Sequence, residues 1–310
     1  MQTPTQTIMQ PTVRKKKRPI SEVIKPYLFI APNFLGFTLF ILIPILYSLA
    51  VSFMDFSIFK GFAGAEFVGL DNYTEMLSDP GFSNALANNI IYALGTIPIM
   101  MILAVILASV LNKGVYLSRL MRAMFFLPYI TSVVAIAEIW KMIFNPSQGI
   151  LNRFLMELGI ENVPGWLGDM QWALPAITIV GIWIGLGYNM VIYLAGLQGI
   201  PLELYESARI DGASTVQIFW HITIPQLQST TFFLLITNII NSFQVFGLIN
   251  IMTEGGPGEA TEVLAHYIYM NGFRFNKMGY ASAMGIFLFA LIFVITLFQW
   301  RMQKKYEDSQ

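Results

Sequence analysis

The sequence predicts an all-α integral membrane protein with six transmembrane helices. Hydrophobic residues make up 55% of the 310 positions and charged residues only 12%, about half the charged fraction of an ordinary soluble domain. Runs without a charged residue cover positions 27–54, 89–111, 123–137, 170–202, 222–253 and 281–300. Because a helix needs about 20 mostly apolar residues to cross a bilayer, five of these runs are long enough alone.

The third run reaches spanning length only when it includes Glu138 and Lys141. These residues are three positions apart on one helical face, where they can form an ion pair near a membrane boundary. We predict a basic tail over 1–26, a transmembrane domain over 27–302 and a short tail over 303–310. The expected spans lie at about 27–54, 89–111, 122–144, 172–196, 230–252 and 281–301.

The distribution of Lys and Arg predicts the orientation of these spans. If both termini lie on the same side, that side holds 13 of the 18 basic residues, including the cluster at 14–18. By the positive-inside rule this side is the cytoplasm. A basic cluster can also bind nucleic acid or anionic lipid, but directly before a first span it is typical of a topology signal. The net charge of zero gives no general basic surface for nucleic acid.

Residues 206–225, ESARIDGASTVQIFWHITIP, form a polar stretch between two long apolar runs. Pro201 suits a helix start, and Asp211-Gly212 predicts a break. Ser214 and Gln217 have the spacing of a capping box, which predicts a second short helix.

The second short helix carries a mostly apolar stripe, which would face the membrane domain or a partner. The stripe consists of Val216, Phe219, Trp220 and Thr223. Glu206 and Arg209 have the spacing to pair. A solvated amphipathic loop without a partner is the alternative.

The order of residues in this stretch closely resembles the cytoplasmic signature of permease subunits of binding-protein-dependent ABC importers. That signature runs Glu-Ala-Ala, two residues, Asp-Gly-Ala, then Phe, Ile and a closing Pro, and Ser207 stands where alanine is usual. The matching positions are Glu206, Ala208, Asp211, Gly212, Ala213, Phe219, Ile222 and Pro225. Four further stretches resemble the carbohydrate-uptake, maltose-type branch of the family: FVGLDNYTEML, FFLPYITSVVAIAEIW, GWLGD and EGGPGEATEVLAHYIYMNGF.

The resemblance implies that residues 206–225 form a coupling helix seated in a cleft of a separate ATPase subunit. Closure of two ATPase subunits around ATP would then switch the transmembrane path from inward-facing to outward-facing. The implied location is a bacterial or archaeal cell membrane, the inner membrane where there are two. The implied partners are a second homologous permease, the two ATPase subunits, an extracellular or periplasmic solute-binding protein, a sugar and the lipid bilayer, but no nucleic acid.

The chain carries no catalytic motif. It lacks the G-x-x-x-x-G-K-[ST] pattern of a P-loop, so ATP and Mg must bind to partner subunits. It has no cysteine, and its two histidines, His221 and His266, are predicted to lie on opposite sides of the membrane. We therefore expect no catalytic residue, no cofactor and no metal on this chain.

Polar side chains within the fourth and fifth spans are the candidate substrate contacts, because polar groups in lipid tend to face protein or water. They can bind sugar hydroxyls, or form interhelical hydrogen bonds worth about 0.6 kcal/mol each, and both interpretations stay open. The resemblance points to the same spans and aligns Tyr188 with an aromatic sugar contact. The candidates are Tyr188 and Asn189 beside the "GLG" of span four, and Asn238, Asn241, Ser242 and Val245 on one face of span five.

The solute is expected to be uncharged, because neither span contains Lys or Arg, the residues that would bind a phosphorylated solute. A partner permease could still supply such a charge. The alternative function is an ion-coupled secondary transporter of a small polar solute. It would need intramembrane ionisable residues, for which Glu138 and Lys141 are the candidate pair.

Overall fold

The computed structural model describes residues 20–59, 61–112 and 117–307. Within these ranges the chain is mostly helical, with one two-stranded β-sheet, which confirms the predicted all-α class. The basic cluster at 14–18 and the outermost parts of both predicted tails, 1–19 and 308–310, lie outside the described residues. The chain divides into two compact units between Ser48 and Leu49.

The first unit, where described, is a continuous helix. α1 (Ile20–Phe37) passes through a π-helical turn (Thr38–Leu42) into α2 (Ile43–Val51), whose last residues belong to the second unit. The stretch Tyr27–Val51 is long and apolar enough to cross a membrane. Large apolar side chains along it are exposed, as expected for a helix whose neighbour is lipid, because lipid tails are as apolar as leucine.

The second unit opens with β1 (Met54–Asp55), a 3₁₀ turn (Phe62–Gly64) and β2 (Glu66–Phe67); the strands pair antiparallel, Met54 opposite Phe67. Its helices then follow in chain order. They are α3 (Asp71–Ser78), α4 (Pro80–Asn112), α5 (Ser118–Ile130), α6 (Val133–Ile143), α7 (Ile150–Glu157), α8 (Ala173–Gln198), α9 (Leu202–Ile210), α10 (Thr215–Ile218), α11 (Ile224–Gln226), α12 (Gln228–Phe243), α13 (Gly247–Met252), α14 (Leu264–Tyr269) and α15 (Met278–Glu307).

The helices α4 and α8 pack against each other and supply most of the buried apolar side chains of one core cluster. Glycines on α8 make this packing possible. A Cβ built on Gly181 would collide with the hydroxyl of Tyr92, and one on Gly185 would collide with the sulfur of Met100. Small residues that let backbones approach closely are typical of helix pairs in membranes.

The third predicted span, 122–144, is bent. α5 and α6 meet at 99° across Thr131 and Ser132. Thr131 has extended backbone (φ −79°, ψ 148°), and Ser132 precedes α6 at the N-cap position, where serine is favoured. The predicted ion pair is present, because Lys141 Nζ donates to Glu138 Oε1 at 3.2 Å.

The fifth predicted span, 230–252, is interrupted rather than continuous. α12 ends at Phe243, and α13 begins at Gly247. Neither is long enough to span alone. The described residues therefore contain four helices that are long and apolar enough to cross a membrane, or five if α5 and α6 form one bent span.

Candidate functional site

A cavity of about 350 Å³ lies between α4, α8 and α12, within the size range of small-molecule sites. It brings together the polar groups that the sequence placed on two separate spans. No Lys, Arg, Asp or Glu is among the described residues that line it. All six predicted substrate contacts line it: Tyr188, Asn189, Asn238, Asn241, Ser242 and Val245.

Aromatic side chains form part of the cavity wall. Tyr188 of α8 stacks on Tyr129 of α5, with ring centroids 4.7 Å apart and planes 19° from parallel. Tyr92 of α4 lines the same cavity. Aromatic walls with a few placed polar groups are typical of small-molecule sites. Sequence reasoning found Tyr188 but missed Tyr129 and Tyr92, because they come from distant parts of the chain.

Gly187 positions the stacked pair. A Cβ at this residue would collide with the backbone carbonyl of Phe125 in α5. Tyr129 follows Phe125 by four residues, about one helical turn, so the close approach of α5 to α8 brings its ring to Tyr188. The "GLG" segment therefore permits close packing of α5 on α8.

The side chains of Asn189 and Asn238 bind each other at the wall of the cavity. Asn238 Nδ2 donates to Asn189 Oδ1 at 2.7 Å, and Asn189 Nδ2 donates to the carbonyl of Gly185 at 2.9 Å. Both side chains are buried. This contact favours the packing interpretation for these two residues, because amides that already have partners are less available to a substrate.

The other polar residues of α12 differ in their availability. Ser242 is buried, and its hydroxyl donates to the carbonyl of Ile239 at 2.8 Å. Its backbone carbonyl accepts from Asn89 of α4 at 2.8 Å. Asn241 is exposed, and its side-chain amide has no hydrogen-bond partner within the described part of the chain. Asn241 is therefore the amide of this cavity that is free to bond a solute.

The segment 206–225 consists of two helical pieces joined by a tight turn. α9 ends in a Schellman motif: the Ala213 amide donates to the Ala208 carbonyl at 2.9 Å, and the Gly212 amide to the Arg209 carbonyl at 3.1 Å. Gly212 has φ +78°, a left-handed conformation that glycine adopts without steric strain. The predicted break at Asp211-Gly212 is confirmed.

The predicted capping box at Ser214 is also confirmed. Ser214 Oγ accepts from the Gln217 amide at 3.3 Å, and Gln217 Oε1 accepts from the Ser214 amide at 2.8 Å. α10 then enters a π-helical turn (Phe219–Thr223) that ends just before Pro225 in α11. Within the predicted apolar stripe, Val216 and Trp220 are exposed, Phe219 is half-buried and Thr223 is buried.

The residues predicted to dock an ATPase differ in exposure. Phe219 packs into the core that α4 and α8 share. Ile210, which is not in the predicted set, lies beside the turn and is 86% exposed. The expected pair of Glu206 with Arg209 is not among the ion pairs of the described residues. Of the predicted set, Glu206, Asp211, Gly212 and Pro225 are exposed, and Ala208, Ala213, Phe219 and Ile222 are half-buried.

The two histidines have different surroundings. His221 is exposed, with Nδ1 3.0 Å from the Gln217 carbonyl oxygen. His266 is buried, and its Nδ1 lies 2.7 Å from Glu262 Oε1. Within the described ranges no three or more His, Asp or Glu residues gather where they could hold a metal ion.

Residues 100–308 match the family described as the binding-protein-dependent transport system inner membrane component. This chain belongs to that family. The matched range includes the whole 206–225 segment and all six predicted cavity residues. The permease is thus a multi-pass membrane transport protein, and its family is one of transport subunits rather than enzymes.

Relatives in several microorganisms resemble the permease over almost their full length. The probable ABC transporter permease protein YurN of Bacillus subtilis (strain 168) is 39% identical, over 91% of this chain and 96% of its own. The sn-glycerol-3-phosphate transport system permease protein UgpA of Agrobacterium fabrum is 35% identical, over 91% and 95%. The arabinooligosaccharides transport system permease protein AraP of Bacillus subtilis is 34% identical, over 93% and 91%.

The permease also resembles a solved structure. A chain of a bacterial alginate ABC transporter, crystallised in complex with a periplasmic protein that holds an alginate pentasaccharide, matches with a TM-score of 0.80. The identity is 25%, and the match covers 94% of this chain and 98% of that one. The transport family predicted from the sequence is therefore confirmed by all three comparisons.

Proposed function

We propose that the permease is the membrane-spanning subunit of an ATP-driven ABC importer that translocates an uncharged sugar or oligosaccharide. The observation that carries this proposal is the cavity between α4, α8 and α12. It combines a stacked tyrosine pair, Tyr129 and Tyr188, with the free amide of Asn241 and has no charged lining residue among those described. Aromatic faces and neutral hydrogen-bonding groups suit a sugar ring with its hydroxyls.

The described lining of this cavity contains no charged residue, which helps to choose between two kinds of solute that the relatives' names specify. The name of AraP specifies arabinooligosaccharides, and that of UgpA specifies sn-glycerol-3-phosphate. Phosphate groups are best held by charge-assisted hydrogen bonds, above all from arginine. A lining of tyrosine, asparagine, serine, threonine and apolar residues favours the neutral saccharide.

The energy for transport enters, in this proposal, through the 206–225 segment. The bend at Gly212 is fixed by two backbone hydrogen bonds and followed by a capping box, so the two helical pieces can move as one body. The acidic side chains of Glu206 and Asp211 and the apolar side chain of Ile210 are exposed beside the bend. In this proposal they form the surface that an ATPase subunit contacts.

The proposed assembly has the composition that the resemblance implies. This permease would pair with a second homologous permease, two ATPase subunits that bind ATP and Mg, and an extracellular or periplasmic solute-binding protein. The six-span topology, with both termini and residues 206–225 in the cytoplasm, is part of this proposal. In it, α12 and α13 together form the fifth crossing and α5 with α6 the third.

An ion-coupled transporter of a small polar solute is the competing function, and the cavity does not favour it. Coupling to an ion would place an ionisable group near the solute. The Glu138–Lys141 pair is partly exposed on α6, with 57% and 39% of its side chains accessible, and does not line the cavity.

Uptake measured in whole cells tests the proposal. Cells that express the importer are given labelled lactose, arabinotriose, maltotriose and sn-glycerol-3-phosphate, with and without a protonophore. Saccharide uptake that persists without a proton gradient, while ATP is kept constant, and is blocked by vanadate supports the proposal. Uptake that collapses with the protonophore at constant ATP, or uptake of glycerol phosphate alone, contradicts it.

A further inference from the structure

A second cavity, of about 440 Å³, lies beside α13 and α14 in the part of the chain predicted to face outward. It is separate from the first cavity and shares no lining residue with it. Its described lining is mostly polar and aromatic: Asn250, Glu254, His266, Tyr269, Met270, Arg274 and Phe275.

Three of these side chains have unused hydrogen-bonding groups. The amide of Asn250, the carboxylate of Glu254 and the guanidinium of Arg274 have no hydrogen-bond or ion-pair partner within residues 20–59, 61–112 and 117–307. Glu254 and Arg274 are exposed. Together they offer acceptors, donors and a balanced pair of opposite charges around one space.

The floor of this cavity is fixed by buried contacts. His266 is 1% exposed and is held by Glu262 at 2.7 Å. Its ring stacks on Phe246, with centroids 6.0 Å apart, and lies 6.4 Å from that of Tyr269. Gly255 (φ +84°) leaves room for the Glu262 carboxylate, which a Cβ at Gly255 would meet.

One segment forms a wall of both cavities. Val245, Gly247 and Leu248 line the first cavity, whereas Asn250 lines the second. Phe246, between them, stacks on the buried histidine that lines the second cavity. The chain around the interruption between α12 and α13 therefore contributes residues to the walls of both cavities.

From this arrangement we propose that the second cavity is an outer subsite for one sugar ring of the transported saccharide. A carboxylate, a guanidinium and an amide around aromatic rings can hydrogen-bond several hydroxyls while the rings contact the apolar faces of the sugar. The cavity gives no reason to prefer an anion, because Glu254 balances Arg274. The proposal rests on the proposed function and adds a site outside the first cavity.

The test uses cysteine protection, because the natural chain contains no cysteine. Met270→Cys reports on the second cavity and Val133→Cys on the first, each in membranes that carry the complete importer. The rate of modification by a membrane-impermeant maleimide is measured with lactose, arabinotriose or maltotriose, and with glycerol at equal concentration as the solute control. Arg274→Gln is then added to each reporter. The matched control is Arg153→Gln, because Arg153 is an exposed arginine on α7 outside both cavities.

The outcomes separate this proposal from the function on which it rests. The outer subsite is supported if a saccharide slows modification severalfold at both reporters. Protection at Met270→Cys should then be lost in Arg274→Gln and kept in Arg153→Gln. Protection at Val133→Cys alone overturns the outer subsite and leaves the proposed function standing, as does protection at Met270→Cys that survives Arg274→Gln. Protection at neither reporter by any saccharide overturns both.

Discussion

The side-chain amides of Asn189 and Asn238 join α8 to α12 through a hydrogen bond of 2.7 Å. Both residues are buried and both line the cavity. Their neighbour Asn241, three residues further along α12, is exposed and has a free amide. The predicted polar face of α12 thus combines a structural contact with a group that is available to solute.

Replacing Asn238 by leucine should lower stability rather than change selectivity. The change leaves the buried Asn189 amide without its partner, and hydrogen bonds between membrane helices contribute about 0.6 kcal/mol on average and at most about 1.7. We expect a fall of about 1 kcal/mol in the unfolding free energy of the purified chain, with part of it recovered in the double variant Asn189→Leu/Asn238→Leu. Unchanged stability with altered selectivity would instead assign Asn238 to the solute.

Replacing Asn241 by alanine should weaken transport without affecting assembly. An exposed amide with no partner in the described chain contributes nothing to packing, so its removal should raise the KM for saccharide uptake severalfold, about 1 kcal/mol of binding. Thr237→Ala is the matched control, because Thr237 is on α12 but does not line the cavity. Equal KM values in the two variants would remove Asn241 from the solute site.

The stack of Tyr129 on Tyr188 gives a prediction that separates the ring from its hydroxyl. Aromatic pairs are worth about 0.5–1.5 kcal/mol beyond their buried area. Tyr129→Phe keeps the ring and should retain saccharide uptake, whereas Tyr129→Ala should raise the KM severalfold. If Tyr129→Phe raises the KM as much as Tyr129→Ala does, the hydroxyl of Tyr129 rather than its aromatic face contributes to solute binding.

Substitution of Gly212 should act through the backbone. No atom lies within 4 Å of a Cβ built there, but φ is +78°, and a left-handed residue other than glycine costs about 1–2 kcal/mol. Gly212→Val should therefore disturb the bend and reduce uptake per ATP hydrolysed, whereas Gly212→Asn should be milder, because asparagine tolerates this conformation. Equal uptake in wild type and Gly212→Val would show that the rigid bend is not needed.

Asp79 gives a prediction of pH dependence. Its Oδ2 accepts from the hydroxyls of Tyr267 and Tyr280, both at 2.6 Å. Burial alone would raise the pKa of Asp79, but these bonds and those from backbone amides, Gly81 included, lower it below its ordinary value. Because the folded pKa is depressed, the ionised carboxylate stabilises the fold above about pH 4, the ordinary aspartate pKa. That contribution is lost as the pH falls through the folded pKa.

Thermal unfolding of wild type and Asp79→Asn at several pH values measures this effect. We expect the difference in Tm to be greatest near neutral pH and to shrink in acid. Asp55→Asn, at an exposed carboxylate of β1, provides the comparison for the removal of a surface charge. A Tm difference for Asp79→Asn that is constant across pH would contradict the role assigned to its charge.

Local patterns in the sequence predicted local structure well. The Asp211-Gly212 break, the Ser214–Gln217 capping box and the Glu138–Lys141 pair depend on residues at most four positions apart, so spacing alone identifies them. The polar face of α12 was found in the same way, because residues at i, i+3 and i+4 share a helical face.

Features that depend on distant contacts could not be predicted in this way. Tyr129 and Tyr92 reach the cavity only because Gly187 and Gly181 let α5 and α4 approach α8. The interruption after Phe243 was missed because hydropathy does not distinguish a continuous span from a broken one. The bend at Thr131-Ser132 had a weak local signal, a serine at a helix start within an apolar run.

The most direct test of the proposed mechanism is to determine on which side of the membrane residues 206–225 lie. In the cysteine-free chain, Val216→Cys places a thiol at an exposed position of that segment, and Ile150→Cys places one at an exposed position predicted to face outward. A membrane-impermeant maleimide should label Ile150→Cys in intact cells, and Val216→Cys only in inverted vesicles. Labelling of Val216→Cys in intact cells would contradict the coupling of this segment to a cytoplasmic ATPase.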